Sequence, residues 1–315
     1  MISLITLGLL TLADGPYVGS KACAGCHGPI YTTYVRTAMG RSLRRADSPE
    51  QLALAPQPVR VGRFKIFRRG DSLYQSEVQE DAFGAAIGEA DYKLEYVIGS
   101  GANGFAYIIT SGQRLAEAPL SYYTRSKTWD LSPGYSASDP GFQRPIAPAC
   151  AACHSGRSRP VANRLGLYEV PPFPEMPIGC ENCHGPGRNH ILAPSKGSIV
   201  NPARLLPARQ ASVCAQCHQN PGAPADSDLL AHDSSMRQSK CYLGSGGRLT
   251  CTMCHNPHAA VPPNEAAAFY RSKCLTCHAT SADHGTMCTD CHMPKRRLGE
   301  VPHTALTNHR IPARL

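Results

Sequence analysis

The pentapeptide Cys-x-x-Cys-His occurs seven times in this 315-residue chain and takes up all but one of its 15 Cys. In chain order the motifs, here called sites 1 to 7, are Cys23/Cys26/His27, Cys150/Cys153/His154, Cys180/Cys183/His184, Cys214/Cys217/His218, Cys251/Cys254/His255, Cys274/Cys277/His278 and Cys288/Cys291/His292. Two thiols at this spacing add across the two vinyl groups of a haem, and the adjoining imidazole becomes the proximal iron ligand. The pattern therefore predicts seven covalently attached haem c groups. Zinc ribbons also use Cys-x-x-Cys knuckles, but they do not place a His directly after every one. Disulfide frameworks belong to much shorter secreted chains.

The cofactors change how composition is read. Aromatic residues make up 7% of the chain, with a single Trp, against 28 Gly and 27 Pro, so the polypeptide is poor in material for an ordinary core. Six sites follow closely from Cys150 to His292, leaving segments too short to bury themselves without porphyrin faces to wrap. The expectation is an apo-chain that stays largely unfolded, as metal-dependent small domains do. The formal charge of +9 suggests a polyanionic partner only while the cofactors are ignored. Seven haems bring about fourteen propionates and, when ferric, roughly one positive charge per iron. The Arg residues are then propionate partners and solvated surface, and nucleic acid is no partner.

The pattern along the chain predicts a multihaem cytochrome c fold of short α-helices and loops wrapped around haems, with a small β-rich subdomain inserted after the first haem. Residues 1–15 read as a signal peptide or clipped leader, because Met1 to Leu12 is apolar but lacks a basic start. Residues 16–49 form the first haem segment, 50–145 the β-rich subdomain, and 146–315 a six-haem array with a ligand-bearing tail. Val59, Val61, Phe64 and Ile66, the Arg69-Gly70-Asp71 turn and the run Leu73 to Val78 read as a hairpin. Leu94 to Ile98, Phe105 to Thr110, the Ser111-Gly112 turn and Leu120 to Tyr123 add further strands. The run Val170-Pro171-Pro172-Phe173-Pro174 reads as an extended connector between sites 2 and 3. No stretch after the leader is long enough to span a bilayer. Haem c assembly on the outer side of the energy-transducing membrane points to a periplasmic or extracellular address.

A haem with two strong protein ligands passes electrons, whereas a five-coordinate haem can bind a small molecule. Of 13 His, seven are proximal, leaving His190, His232, His258, His284, His303 and His309 as candidate distal ligands. His190 follows site 3, His258 follows site 5, His284 precedes site 7, and His303 and His309 lie in the tail. Met39, a short helix downstream of site 1, is the seventh candidate, and its thioether would raise that haem's potential; the competing reading is soft core packing. The leftover thiol, Cys241, is a buried inert thiol, a surface thiol for intermolecular linkage or, last, a ligand.

Particular strings carry a resemblance. Cys183-His-Gly-Pro-Gly-x-x-His190, the Ser239-x-Cys241 and Leu249-Thr-Cys-x-x-Cys-His-Asn-Pro-His258 pair, and Cys288-x-x-Cys-His-Met-Pro294 resemble the multihaem superfamily of the nitrification tetrahaem cytochrome and octahaem hydroxylamine oxidoreductases. Thr37-Ala-Met-Gly-Arg-Ser42, the segment Tyr96 to Tyr107 and the stretch from Cys291 to Ile311 resemble the cytochrome module that precedes tetratricopeptide repeats in some bacterial proteins. The resemblance spans nearly the whole chain. It implies mostly helical haem surrounds, stacked and perpendicular haem pairs, and bis-His ligation from spacer His residues. The tetrahaem carrier has a His where Met39 stands. No Cys-x-x-Cys-Lys motif is present, so the Lys-ligated haem of pentahaem nitrite reductases has no counterpart. The chain stops at Leu315, where such relatives continue into repeats, so a repeat scaffold is expected from another chain.

The functional expectation is an exported electron-transfer protein with seven haems, working between redox partners such as other cytochromes or a membrane quinol-linked complex. One rival is a haem-dependent oxidoreductase with one open iron acting on a small nitrogen, oxygen or sulfur species. Another is a subunit of a polymeric extracellular cytochrome filament, assembled by self-association.

Overall fold

The computed structural model describes residues 15–218, 231–278, 287–297 and 305–311; all but the last residue of the expected leader, 1–15, together with His284 and His303, lie outside the described residues. Helix α1 (Ser20–Cys23), helix α2 (Gly28–Tyr34) and strand β1 (Leu43–Arg45) open the fold, followed by α3 (Pro49–Leu52). Strands β2 (Val59–Val61), β3 (Phe64–Arg69), β4 (Ser72–Glu80) and β5 (Ala86–Lys93) then form an antiparallel four-stranded meander. Strands β6 (Tyr96–Ile98), β7 (Gly104–Ser111), β8 (Arg114–Glu117), β9 (Leu120–Tyr123) and β10 (Thr128–Leu131) join β1 in a six-stranded sheet of order β1-β6-β7-β9-β10, with β8 paired to β7.

Local chemistry explains the hairpins. Arg69 pairs with Ser72 and Ser111 with Arg114, so each loop is two residues long and begins with a glycine of positive φ, Gly70 at 58° and Gly112 at 58°. Two-residue hairpins need that backbone region at the first loop position, which favours glycine. The exposed strand β5 was not legible in the sequence because Ala-Ile-Gly-Glu-Ala-Asp-Tyr-Lys has no apolar alternation; its register comes from the backbone of β4. Likewise β1 belongs to the first haem segment by sequence, yet Leu43, Arg44 and Arg45 pair with Ile98, Val97 and Tyr96. Sheet pairing therefore runs across residue 50 and ties the site 1 segment to the strands.

Apolar residues from both sheets meet in one core: Phe64, Ile66 and Leu73 from the meander, and Val97, Phe105, Tyr107, Ile109, Leu120 and Trp129 from the larger sheet, closed by Leu52 of α3. Gln75 of β4 is fully buried at 0% exposure and crosses between the sheets, its Nε2 donating to the Leu120 carbonyl at 2.8 Å and its Oε1 accepting from the Leu120 N–H at 2.9 Å. Substituting Gln75→Leu leaves both Leu120 groups buried without partners, at about 1–3 kcal/mol each. Urea unfolding of this region, followed by circular dichroism, is expected to show a loss of roughly 3 kcal/mol.

Side chains alternate across a strand, so the other face of β7 presents Ile108 to a second core with Leu43, Leu115, Ile146, Tyr168, Phe173 and Ala151. Ala151 lies in α4 (Pro148–His154), the helix of site 2, which is thereby seated on the sheet. The Pro-rich connector is anchored here as well: Phe173 is 6% exposed and meets the Tyr96 ring edge-on at 5.1 Å. The remaining elements are α5 (Cys180–His184), α6 (Arg188–Leu192), α7 (Pro207–His218), α8 (His232–Arg237), α9 (Lys240–Gly244), α10 (Cys251–Cys254), α11 (Ala266–Leu275), α12 (Cys288–His292) and the antiparallel pair β11 (Lys295–Arg297) and β12 (Ala305–Thr307). Beyond Phe173, the buried apolar side chains among the described residues are Ala211, Ala231 and Met236. No helix among the described residues is long and apolar enough to cross a membrane.

Candidate haem-attachment sites

Each Cys-x-x-Cys-His motif is built on a helical turn. The His27 N–H donates to the Cys23 carbonyl at 2.9 Å, His255 to Cys251 at 2.9 Å and His278 to Cys274 at 3.0 Å, while sites 2, 3, 4 and 7 close α4, α5, α7 and α12. Residues at i, i+3 and i+4 share one helix face. Both thiols and the imidazole of a site therefore look the same way, which is the placement that gripping one macrocycle requires. All fifteen Cys are free thiols, and among the described residues no group of three or more His, Cys, Asp or Glu gathers around a point that would hold a single metal ion.

The two thiols of a site are not equally enclosed. Cys26, expected from the sequence as the second attachment thiol of site 1, is exposed and lies on the turn beyond α1, whereas Cys23 at the end of that helix is half-buried. The difference arises because the polypeptide packs site 3 against Cys23 and lays nothing comparable over Cys26. Cys150, Cys217, Cys277 and Cys291 are exposed as well. An exposed thiol is accessible to a vinyl group, and a macrocycle bonded there would cover the side that the chain leaves open.

The sites abut in a definite order. The Cys23 thiol of site 1 hydrogen-bonds Cys180 of site 3, which holds Cys180 at about 6 and pushes Cys23 up. The Cys214 thiol of site 4 does the same to Cys251 of site 5, held at about 7. Cys217 of site 4 touches Cys153 of site 2, and burial joins that contact in raising it to about 12. Burial is the first cause that raises Cys274 of site 6, with Cys288 of site 7 in contact. Cys183 and Cys214 lie within electrostatic reach, as do Cys254 and Cys277. The contacts trace a path from site 1 through 3, 4, 5 and 6 to 7, with site 2 attached to site 4.

Sites 1 and 3 are the most tightly joined. Buried Glu181 of α5 accepts from the N–H groups of Val18 at 3.0 Å, Gly19 at 2.8 Å and Gly187 at 2.7 Å. The Ser20 N–H donates to Glu175 at 2.8 Å, and the Ser20 hydroxyl accepts from the Cys180 N–H at 2.8 Å. Tyr34 is buried and donates to the Ile178 carbonyl at 2.8 Å. None of these partners carries a motif signature, and the sequence reading missed them; Glu181 is an anonymous x position of site 3.

The spare imidazoles fall opposite proximal ones. Two imidazoles bonded to opposite sides of one metal, each at about 2 Å, have ring centroids about 6 Å apart. His190 stands 6.3 Å from His27 with planes 16° apart, His258 stands 6.0 Å from His184 at 13°, and His309 stands 6.2 Å from His255 at 39°. His232 stands 5.1 Å from His218 and stacks on His309 at 4.3 Å. Several rings are also oriented through their other nitrogen: Nδ1 of His184 meets the Val200 carbonyl at 2.8 Å, that of His190 the Ser198 hydroxyl at 2.9 Å and that of His309 the Thr307 carbonyl at 3.0 Å. Second partners of this kind set the tautomer that leaves Nε2 as the metal-facing lone pair. Burial holds the imidazoles of His154, His218, His255, His258 and His309 below the ordinary range, keeping them neutral and able to ligate.

The pairing is cross-laced. The spacer after site 3 covers site 1, the spacer after site 5 covers site 3, and the tail covers site 5. Met39, the sequence candidate above the first haem, lies half-buried in the 3₁₀ turn Met39–Arg41, and the ring set across from His27 is His190. Among the described residues, the structure brings no second imidazole to His154 or His278. Cys241 is half-buried in α9, within electrostatic reach of Cys254 and Cys274. Paired thiols on one helix face, with opposed, tautomer-locked imidazoles at a metal-spanning distance, form a donor set that fits haem c.

No protein-family model matches the chain. It is 24% identical over 165 residues to "Multiheme cytochrome MtrA" of Shewanella baltica (strain OS185), covering 47% of this chain and 46% of that protein. It is 32% identical over 123 residues to "C-type polyheme cytochrome OmcB" of Geobacter sulfurreducens, covering 38% of this chain and 15% of that one. The matched stretches thus span less than half the length of either relative. The fold resembles the crystal structure of outer cell wall cytochrome OcwA at a TM-score of 0.57 and 15% identity, over 94% of this chain and 79% of that one. In its seven attachment motifs and over the matched stretches the chain is similar to multihaem c-type cytochromes, and its fold is similar to that of one solved cytochrome.

Proposed function

We propose that this chain is an exported electron carrier whose seven attachment sites hold seven haem c groups in one continuous path, placed in the periplasm or outside the cell and exchanging electrons with other cytochromes or a membrane quinol-linked complex. The observation that carries this reading is the contact of thiols across sites, which brings the attachment points of successive macrocycles together. Bound haem supplies reversible one-electron chemistry at iron. The chain's own residues do the rest. Each Cys pair would bond one haem, each motif His would supply an iron ligand, and His190, His232, His258 and His309 would supply the second ligand at sites 1, 4, 3 and 5. His284 and His303 are the remaining imidazole candidates for sites 2, 6 and 7, and Met39 is the alternative second ligand for site 1. The path runs from site 1 to site 7, and site 2 is a branch at site 4. The partial likeness to the multihaem cytochromes MtrA and OmcB supports the electron-carrier reading, and the strings that resemble the nitrification tetrahaem cytochrome are consistent with it.

Low-temperature EPR of the ferric protein, with CO added to a reduced aliquot, tests the reading. Low-spin signals alone and no CO shift are expected of a carrier with closed irons. A high-spin signal of about one haem that binds CO instead supports a haem-dependent oxidoreductase with an open iron. Size-exclusion chromatography separates a small carrier from a filament subunit.

A further inference from the structure

Arg188 sits on α6, between the site 3 imidazole His184 and His190, the ring across from His27. Its backbone N–H is tied to the Pro16 carbonyl at 3.1 Å, so the residue is fixed where the leader-side segment crosses sites 1 and 3. Its guanidinium Nε and Nη2 are buried and have no hydrogen-bond partner. The neighbouring acid, Glu181, does not serve it: both Glu181 oxygens are already occupied by the N–H groups of Val18, Gly19 and Gly187. A guanidinium with buried, unpaired N–H groups is costly, and its planar fork is shaped to donate to two carboxylate or phosphate oxygens side by side.

We propose that Arg188 is the carboxylate clamp of the haem pair held by sites 1 and 3, binding a haem propionate through Nε and Nη2 and thereby raising the potential of that haem. The proposal rests on the haem reading above. Each haem carries two propionates, and the described protein offers the buried Arg188 N–H groups no partner of its own. Arg188 is a positioning residue: it touches a substituent of the macrocycle and does not touch the iron. Its charge offsets that of the propionate, so the added electron of the ferrous state meets less repulsion than it would beside a bare carboxylate.

The test is a spectropotentiometric titration of the purified holoprotein and its Arg188→Gln and Arg188→Lys variants. Wild type must first show a c-type spectrum with seven haems by mass; its failure to do so overturns the haem reading itself and is distinguishable from failure of the clamp. In Arg188→Gln, the ferric-to-ferrous ratio of one haem at fixed potential is expected to rise about tenfold, a downshift of about 59 mV for a one-electron couple. Arg188→Lys keeps the charge and loses the fork, so its shift is expected to be smaller. Unchanged potentials in Arg188→Gln, or an equal shift in both variants, overturn the proposal. A reading independent of any variant comes from redox-difference infrared spectra of unaltered protein grown with isotopically labelled arginine. Guanidinium bands that move with the label are expected, and their absence overturns the clamp.

Discussion

Chain produced without haem attachment is expected to lose its ordered structure from about site 3 onward while the strand region persists. Trypsin digestion read by mass spectrometry should leave a protected fragment corresponding to the two apolar cores, whose members run from Leu43 to Phe173, and should cut the remainder to small peptides. Burying a Leu, Ile or Phe contributes about 1.5–3 kcal/mol, and fixing one backbone residue costs about 1–2 kcal/mol. Between the sheets many such side chains converge, together with the paired polar groups of Gln75 and Leu120. After Phe173, Ala211, Ala231 and Met236 are the buried apolar side chains among the described residues, far too few to order the helices that carry sites 3 to 7. The macrocycles must supply that apolar area. Equal protection of both regions in the apo-chain would show that the polypeptide orders itself without them.

Replacing His190 by Gly is expected to convert one haem equivalent from low-spin to high-spin and let it bind CO, whereas Met39→Leu leaves the spectrum unchanged. The His190 ring stands 6.3 Å from His27, nearly parallel to it, and Ser198 engages its Nδ1. On the proposed pairing, removal would take away a ligand and leave an empty coordination position that Gly cannot refill. Met→Leu conserves volume, so it tests ligation with little disturbance of packing. The reverse pattern, with Met39→Leu opening an iron and His190→Gly silent, would give site 1 a thioether ligand and a correspondingly higher potential. EPR line counting and CO titration read both variants directly.

The candidate attachment sites of this protein were legible from residue order alone, because a Cys-x-x-Cys-His site is a local device: one helical turn places two thiols and an imidazole on the same face, and nothing distant is needed. How far each thiol is enclosed was not legible, since it is the tertiary packing of site 3 on Cys23 that half-buries that thiol and leaves Cys26 exposed. The strands around Phe64 to Val78 and Phe105 to Tyr123 were legible because alternation and a two-residue glycine turn act over a few positions. Strands β1 and β5 were not: β1 is held by pairing with β6, far along the chain, and β5 is an exposed strand laid on its neighbour β4 with no apolar alternation of its own.

Sequence alone also identified His190, His232, His258 and His309 as spare imidazoles, but it had no means of matching them to sites. That matching depends on tertiary folding. His190 lies six residues after His184, yet its ring faces His27; His258 follows site 5, yet faces His184. A ligand and the metal position it serves must meet in space, and proximity along the chain does not decide it. The same holds for Glu181 and Arg188, ordinary charged residues in the sequence. Only the packing of α5 and α6 against the segment from Pro16 to Ser20 saturates one of them with backbone N–H groups and leaves the other half-buried, with Nε and Nη2 covered and without hydrogen-bond partners.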